Sequence, residues 1–175
     1  MEVKKSTCML PNIPTEHLLL RPFSGEDVDS LHALWTSRAV RQFLWDDLVI
    51  TRERAIEEIE RSFANAAHHG IGYWVIEQDP SRATIGFVGF RPIDKGPEIE
   101  LMYGLEQRCW GKGLATEASQ ALLDWLWHST TYPRVFARMD PPNERSVGVM
   151  RRLGMRLESA TATMITYVLE RPCVP

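Results

Sequence analysis

A chain of 175 residues fits one domain, since a single hydrophobic core usually serves about 100–200 residues. With 44% hydrophobic and 25% charged residues it has a globular composition, and no apolar run approaches the roughly 18 residues a membrane span needs. A formal net charge of −3 without like-charge runs argues against nucleic acid as the main partner. Three scattered cysteines, Cys8, Cys109 and Cys173, argue against a disulfide framework or a structural zinc site.

Residues 1–14 carry two prolines and few apolar anchors, and are expected to form a loose arm ahead of one domain over 15–175. The arm lacks the apolar core of a signal peptide, so a cytoplasmic location is expected. His17 to Pro22 reads as a short strand stopped by proline. Ser24 is placed to cap a helix with Glu26 and Asp27 in its first turn and Val28, Leu31, Leu34 and Trp35 on its apolar stripe. A linker over Val40–Asp47 leads to Thr51, which caps a second helix whose stripe is Ile56, Ile59, Phe63 and Ala66/Ala67; it ends at His68-His69-Gly70. Adjacent histidines on a helix point about 100° apart and rarely share an ion, so no metal is expected.

From Gly72 the pattern changes to strands: Tyr73–Gln78, a turn at Asp79-Pro80-Ser81, Thr84–Phe90 and Glu98–Leu105. A helix over Gly113–Trp127 follows, with Leu114, Ala118, Ala121, Leu122 and Trp125 on one side. Next come a strand over Arg134–Met139, a short helix capped by Asn143 after Pro141-Pro142, and strands over Met155–Ser159 and Met164–Glu170. The order is β-α-α-β-β-β-α-β-α-β-β. Only the strands flanking the Gly113 helix must be parallel, because a strand–helix–strand crossover returns parallel. The class is α+β on a mixed, largely antiparallel sheet.

The most informative stretch runs from Leu105 to Glu117: a strand ends, a loop holds Gly111 and Gly113, and a helix starts with small residues. Glycines admit close approach, and the free amides of a first helical turn, with the dipole behind them, make an anion site. Lys112 adds charge at its rim. By itself the pattern is equally a glycine-rich turn. It is neither a Walker loop nor the GxGxxG of a dinucleotide fold, which disfavours a nucleotide-phosphate binder.

Taken together, two segments resemble the GNAT acetyltransferase superfamily. Its cofactor motif, Q/R-x-x-G-x-G/A, stands here as Trp110-x-x-Gly113-x-Ala115, and a second signature stands at Asn143–Met155. The run GKGLATEA and the start LLLRPF at 18–23 are similar to the branch that includes ribosomal-protein N-terminal acetyltransferases and small-amine-acetylating relatives. The resemblance covers roughly residues 16–170. It implies that the strands ending near Leu105 and Met139 splay apart to admit acetyl-CoA as co-substrate, without a metal. Tyr103, Gly104 and Leu105 would bind pantetheine, Gly111, Lys112, Gly113, Leu114, Ala115 and Thr116 the pyrophosphate, and Asn143 the pantetheine arm.

The resemblance also implies an N-acetyltransferase that passes acetyl to a primary amine, a protein N-terminus or a small molecule, by direct attack in a ternary complex. Such a reaction needs the amine deprotonated, the carbonyl polarised and the thiolate protonated. Glu100 is the candidate base: alternation places Glu98, Glu100 and Met102 on one strand face, although these acids could equally be solvated or pair with Arg91 or Arg138. Family members often protonate the thiolate with a tyrosine seven residues after the motif asparagine; Met150 occupies that position, leaving Ser146 as the candidate. The missing tyrosine also supports an alternative, a non-catalytic acyl-CoA-binding sensor. Phe43, Trp45, Asp46 and Asp47 combine aromatic surface with negative charge suited to a cationic acceptor, or else are core and turn residues. A monomer or homodimer is expected, with neither membrane nor nucleic acid as partner.

Overall fold

The computed structural model describes residues 10–173 apart from 79, 95 and 142. Cys8, residues 1–9 of the expected arm, Asp79 of the expected turn and Pro142 lie outside them. Eight strands form one sheet: β1 (Ile13–Pro14), β2 (Leu18–Pro22), β3 (Tyr73–Gln78), β4 (Ala83–Pro92), β5 (Ile99–Leu105), β6 (Arg134–Met139), β7 (Arg156–Ala160) and β8 (Ile165–Glu170). Their order across the sheet is β1-β2-β3-β4-β5-β6-β8-β7. Every neighbouring pair is antiparallel except β5 and β6, which are parallel as the crossover requires. The helices are α1 (Val28–Thr36), α2 (Arg38–Arg41), α3 (Arg52–His69), α4 (Leu114–Ser129) and α5 (Glu144–Arg152).

Local chemistry sets the helix ends. Ser24 and Asp27 form a reciprocal capping box around a 3-10 turn, Gly25–Asp27, which leads directly into α1. Thr51 accepts from the Arg54 amide to start α3, and Gly70 ends it in the left-handed region at φ 67°. Alternation along the strands then divides the core in two. Trp74, Ile76, Val88, Phe90 and Leu101 pack towards α4 and α5, where Trp74 meets Trp125 edge-on with ring centroids 5.0 Å apart. Tyr73, Val75 and Phe87 point the other way, onto α1 and α3, with Trp35 edge-on to Phe87 at 5.8 Å.

Two expectations need correction. Residues 10–14 are not loose: Leu10 is buried, Ile13–Pro14 pairs with β2, and the Trp74 indole N–H donates to the Pro11 carbonyl at 2.8 Å. Their few apolar groups suffice because a neighbouring strand edge and a large buried ring meet them. The hairpin is tied to the first turn of α4 as well, where Glu117 accepts from the Thr15 hydroxyl at 2.6 Å and the His17 amide at 2.9 Å. The second correction concerns the linker after α1, which contains the short helix α2 and then two residues with positive φ, Asp46 and Asp47.

Gly89 permits the closest approach in the sheet. A Cβ there would overlap both the Gly72 carbonyl oxygen and the Tyr73 ring. Gly89→Ala should therefore lower stability by about 1–3 kcal/mol, the range for overpacking a well-filled core. Urea denaturation reads this as a lower midpoint; an unchanged midpoint would mean that the β3–β4 region yields freely.

Candidate active site

The strands β5 and β6 meet at one register pair, Glu100 opposite Phe136. Beyond it they part, and a cavity of about 640 Å³ opens between Leu101–Leu105 on one side and Ala137–Met139 on the other. The cavity passes through the sheet. On the α4/α5 side it reaches the loop before α4 and the inner face of α5; on the α1/α3 side it reaches Ala39, Val40, Phe43 and Leu44.

On the first side, a 3-10 turn over Gln107–Cys109 carries the chain out of β5, and the Trp110 indole N–H pins the loop by donating to the Leu105 carbonyl at 2.9 Å. Gly111 and Gly113 then take φ of 74° and 80°, a region that disfavours side chains. A Cβ at either would meet nothing within 4 Å, so their surroundings are open. Gly113 begins α4 with no side-chain cap, leaving the first-turn amides and the positive end of the helix dipole facing the cavity at Gly113, Leu114, Ala115 and Thr116. Two arginines of α5 that sequence reasoning missed reinforce this pole. Arg145 lies over the Trp110 ring at 4.8 Å, and Arg152 donates to the Thr116 hydroxyl at 3.2 Å. Their signal was present as a seven-residue spacing, two helical turns, which places both on one face of α5. Lys112 is exposed and does not line the cavity.

Midway along, Asn143 caps α5 by accepting from the Ser146 amide at 3.2 Å, and both residues line the cavity with Tyr103 and Gly104. The Tyr103 hydroxyl is buried without a hydrogen-bond partner. Burial pushes it up to about 12, while nearby Ser146 and Arg152 act in the opposite direction; the serine lies beside the phenol but outside hydrogen-bonding geometry. An orphaned buried hydroxyl costs about 1–3 kcal/mol, a cost that a polar group entering the cavity could relieve. These features fit a long ligand with an anionic end: open first-turn amides, two arginines, and an unpartnered hydroxyl deeper in. Met150, where the family often has tyrosine, is fully buried in the core.

The structure gives Glu100 the part of an ion-pair partner rather than that of a base. It is 1% exposed and absent from the cavity wall, held by Arg91 Nε at 2.6 Å and by Arg138 Nε and Nη2 at 2.7 and 3.0 Å. Burial pushes its carboxyl up, but the hydrogen bonds and charges of Arg138 and Arg91 outweigh this and hold it below the usual carboxylate range. A carboxylate so stabilised is a poor proton acceptor. The acid's costly position on a central strand reflects an ion triad across β4, β5 and β6.

The acceptor residues are also only partly as expected. Phe43 lines the cavity, but Trp45 packs against Trp35 at 5.9 Å and lies under the Arg54 guanidinium at 5.7 Å. Asp46 and Asp47 form the positive-φ turn, with Asp47 accepting from Arg41 Nε at 2.8 Å; neither lines the cavity. Packing and turn formation, not ligand contact, account for these three. Among the described residues, no group of three or more His, Cys, Asp or Glu side chains converges as for a metal, and no helix is long and apolar enough to cross a membrane.

A through-sheet cavity with an uncapped helix start at one mouth suits an acyl-CoA-dependent acyltransferase, and comparison with known proteins gives that class. The profile of the acetyltransferase (GNAT) domain matches residues 17–156. The uncharacterised N-acetyltransferase p20 of Bacillus licheniformis is 30% identical over 149 residues, covering 82% of this chain and 82% of that protein. The crystal structure of an acetyltransferase from Agrobacterium tumefaciens superposes with a TM-score of 0.81 at 23% identity, over 96% of this chain and 99% of that one. A ribosomal L7/L12 alpha-N-protein acetyltransferase in complex with coenzyme A does so with a TM-score of 0.79 at 20% identity, over 91% and 98%. The chain belongs to the GNAT acetyltransferase family.

The triad gives stability a defined pH dependence. The native carboxyl of Glu100 titrates below its unfolded value, so its contribution is fully present above about pH 4.3 and is lost as pH falls through the native value. Glu100→Gln should cost about 2–3 kcal/mol near neutral pH, less than the roughly 3–5 of a fully buried pair because both guanidinium groups reach solvent. The gap from wild type should narrow as pH falls below about 4. Urea midpoints over a pH series test this, and a gap that stayed constant would remove the ion triad as its cause.

Proposed function

We propose that the protein transfers the acetyl group of acetyl-CoA to a primary amine by direct attack within a ternary complex. One observation carries the reading: the cavity joins a mouth at the uncapped start of α4, on one face of the sheet, to an apolar mouth on the other. Two reactants can therefore meet from opposite sides in the gap between β5 and β6. Much of the rate follows from that placement alone, because it converts an encounter into a held geometry.

Acetyl-CoA supplies the activated acyl group. The amides from Gly113 to Thr116 bind its pyrophosphate, with Gly111 giving room and Arg145, Arg152 and the rim Lys112 adding charge. Backbone groups at Tyr103, Gly104 and Leu105 hold the pantetheine arm as an added strand would be held, with Asn143 opposite. The thioester carbonyl is polarised by a backbone amide near Tyr103. As the C–N bond forms and the C–S bond breaks, the hydroxyls of Ser146 and Tyr103 stabilise the departing sulfur. Tyr103, kept protonated by burial, remains a donor at any physiological pH. With Glu100 committed to two arginines, water accepts the proton from the amine.

Calorimetry with acetyl-CoA and a thiol-release assay test this. Gly113→Ala, strained at a positive φ beside the phosphate site, should weaken acetyl-CoA binding about tenfold, or about 1.4 kcal/mol. Ser146→Ala should lower kcat by about tenfold while leaving acetyl-CoA affinity unchanged, because it removes one hydrogen bond made mainly as charge develops on sulfur. Tyr103→Phe should lower kcat and also weaken acetyl-CoA binding, because the buried hydroxyl gains its partner from the ligand. Absence of binding at about 1 mM acetyl-CoA, a free energy of only about −4 kcal/mol, would overturn the reading.

A further inference from the structure

The amine-side mouth has a chemistry of its own. Alternation along β5 and β6 puts Met102 and Arg138 on the α1/α3 face of the sheet, where Ala39, Val40, Phe43 and Leu44 complete the wall. Five of these six are apolar and the sixth is a cation. Among the described residues no carboxylate lines this mouth, and the one acidic wall residue, Glu144, begins α5 on the opposite side of the sheet.

Arg138 is only partly consumed by its ion pair. Its Nε and Nη2 clamp Glu100, while Nη1 makes no hydrogen bond among the described residues and the side chain is 32% exposed. Glu100 is shared with Arg91, so two guanidinium groups are set against one carboxylate and the triad keeps a net positive charge. From the connection between β4 and β5, Asp94 acts on Arg138 only through space, and on the far side Arg91 feels Tyr73 and Glu58. The clamp fixes the guanidinium plane, so its free edge is oriented in advance for an anion. Arg138 also lies just past the Glu100–Phe136 pair, where β5 and β6 part, and therefore at the throat of the cavity. An anion held there lies beside the gap in which the acyl transfer is proposed.

Building on the transferase reading above, we infer that the acceptor is an α-amino acid with an apolar side chain. Its carboxylate docks on Arg138, its side chain lies among Val40, Phe43, Leu44 and Met102, and its amino group points into the gap towards Tyr103 and Ser146. Polyamines fit poorly, since this mouth offers a cation no counter-charge and one repulsive arginine.

The test is thiol release from acetyl-CoA by the intact wild-type protein with four acceptors: methionine, methioninamide, spermidine and a short peptide with an N-terminal methionine. Methionine should exceed methioninamide at least about tenfold in kcat/KM, the scale of one charge-assisted contact, with the difference mainly in KM. The amide has the less basic amine, which biases the comparison against this result. Arg138→Gln should bring the ratio towards one, and Arg138→Lys should retain part of it. Methioninamide, the peptide or spermidine matching or exceeding methionine would overturn the inference and leave the transferase standing. A ratio unchanged in Arg138→Gln would overturn it too. If acetyl-CoA binds but none of a broad panel of amines releases thiol, the transferase reading fails and the inference fails with it.

Discussion

The strands β5 and β6, parallel and joined by the α4 crossover, lie side by side yet have a single register pair, Glu100 opposite Phe136. Everything functional follows from what they do after it. Had they stayed paired to their ends, the backbone groups of Leu101–Leu105 would be spent on a neighbouring strand and the sheet would be a wall. By separating, they leave a gap flanked by free strand edge, and the helices starting just beyond each strand, α4 and α5, turn their first residues towards it. The ion triad of Arg91, Glu100 and Arg138 spans β4, β5 and β6 where the divergence begins, and holds the strands together at the base of the gap.

The charges around the gap are arranged asymmetrically. On the α4/α5 side, positive potential is concentrated through a helix dipole and the arginines of α5. On the α1/α3 side it is reduced to the one guanidinium of Arg138 in an apolar surround. A protein with a formal charge of −3 overall thus places arginines at both ends of the passage, Arg145 and Arg152 at one and Arg138 at the other. A mildly acidic chain is compatible with such a cleft, because local placement rather than net charge governs the field there.

Where local chemistry decides the outcome, the sequence was informative. Caps at Ser24, Thr51 and Asn143, the glycines before α4, and alternation in β3, β4 and β5 placed the regular elements within a residue or two. The short β1 was illegible because Ile13–Pro14 has no pattern of its own; its position depends on the edge of β2 and on the buried ring of Trp74. Glu100 was placed on the correct strand face with Arg91 and Arg138 named as possible partners, but the choice between pairing and base depended on whether the tertiary fold brought both arginines to it. Trp45 and Asp46 suggested a cationic acceptor by composition alone. Only the positive φ of the turn and the Trp35 contact reveal that they serve the chain itself. Arg145 and Arg152 share one face of α5, but a target for that face, the loop at Trp110, required the tertiary fold.

The first turn of α4 contains a carboxylate, Glu117, close to the amides that attract an anion. Left free, such a group would satisfy the helix start itself and repel any phosphate approaching it. The N-terminal hairpin prevents the first by engaging the carboxylate elsewhere. Thr15 and the His17 amide engage one oxygen and the His17 ring the other, and these bonds draw the carboxyl below its ordinary range although burial pushes it up. The residues just inside the amino terminus thus occupy the anion site's nearest competitor, about one hundred positions further along the chain.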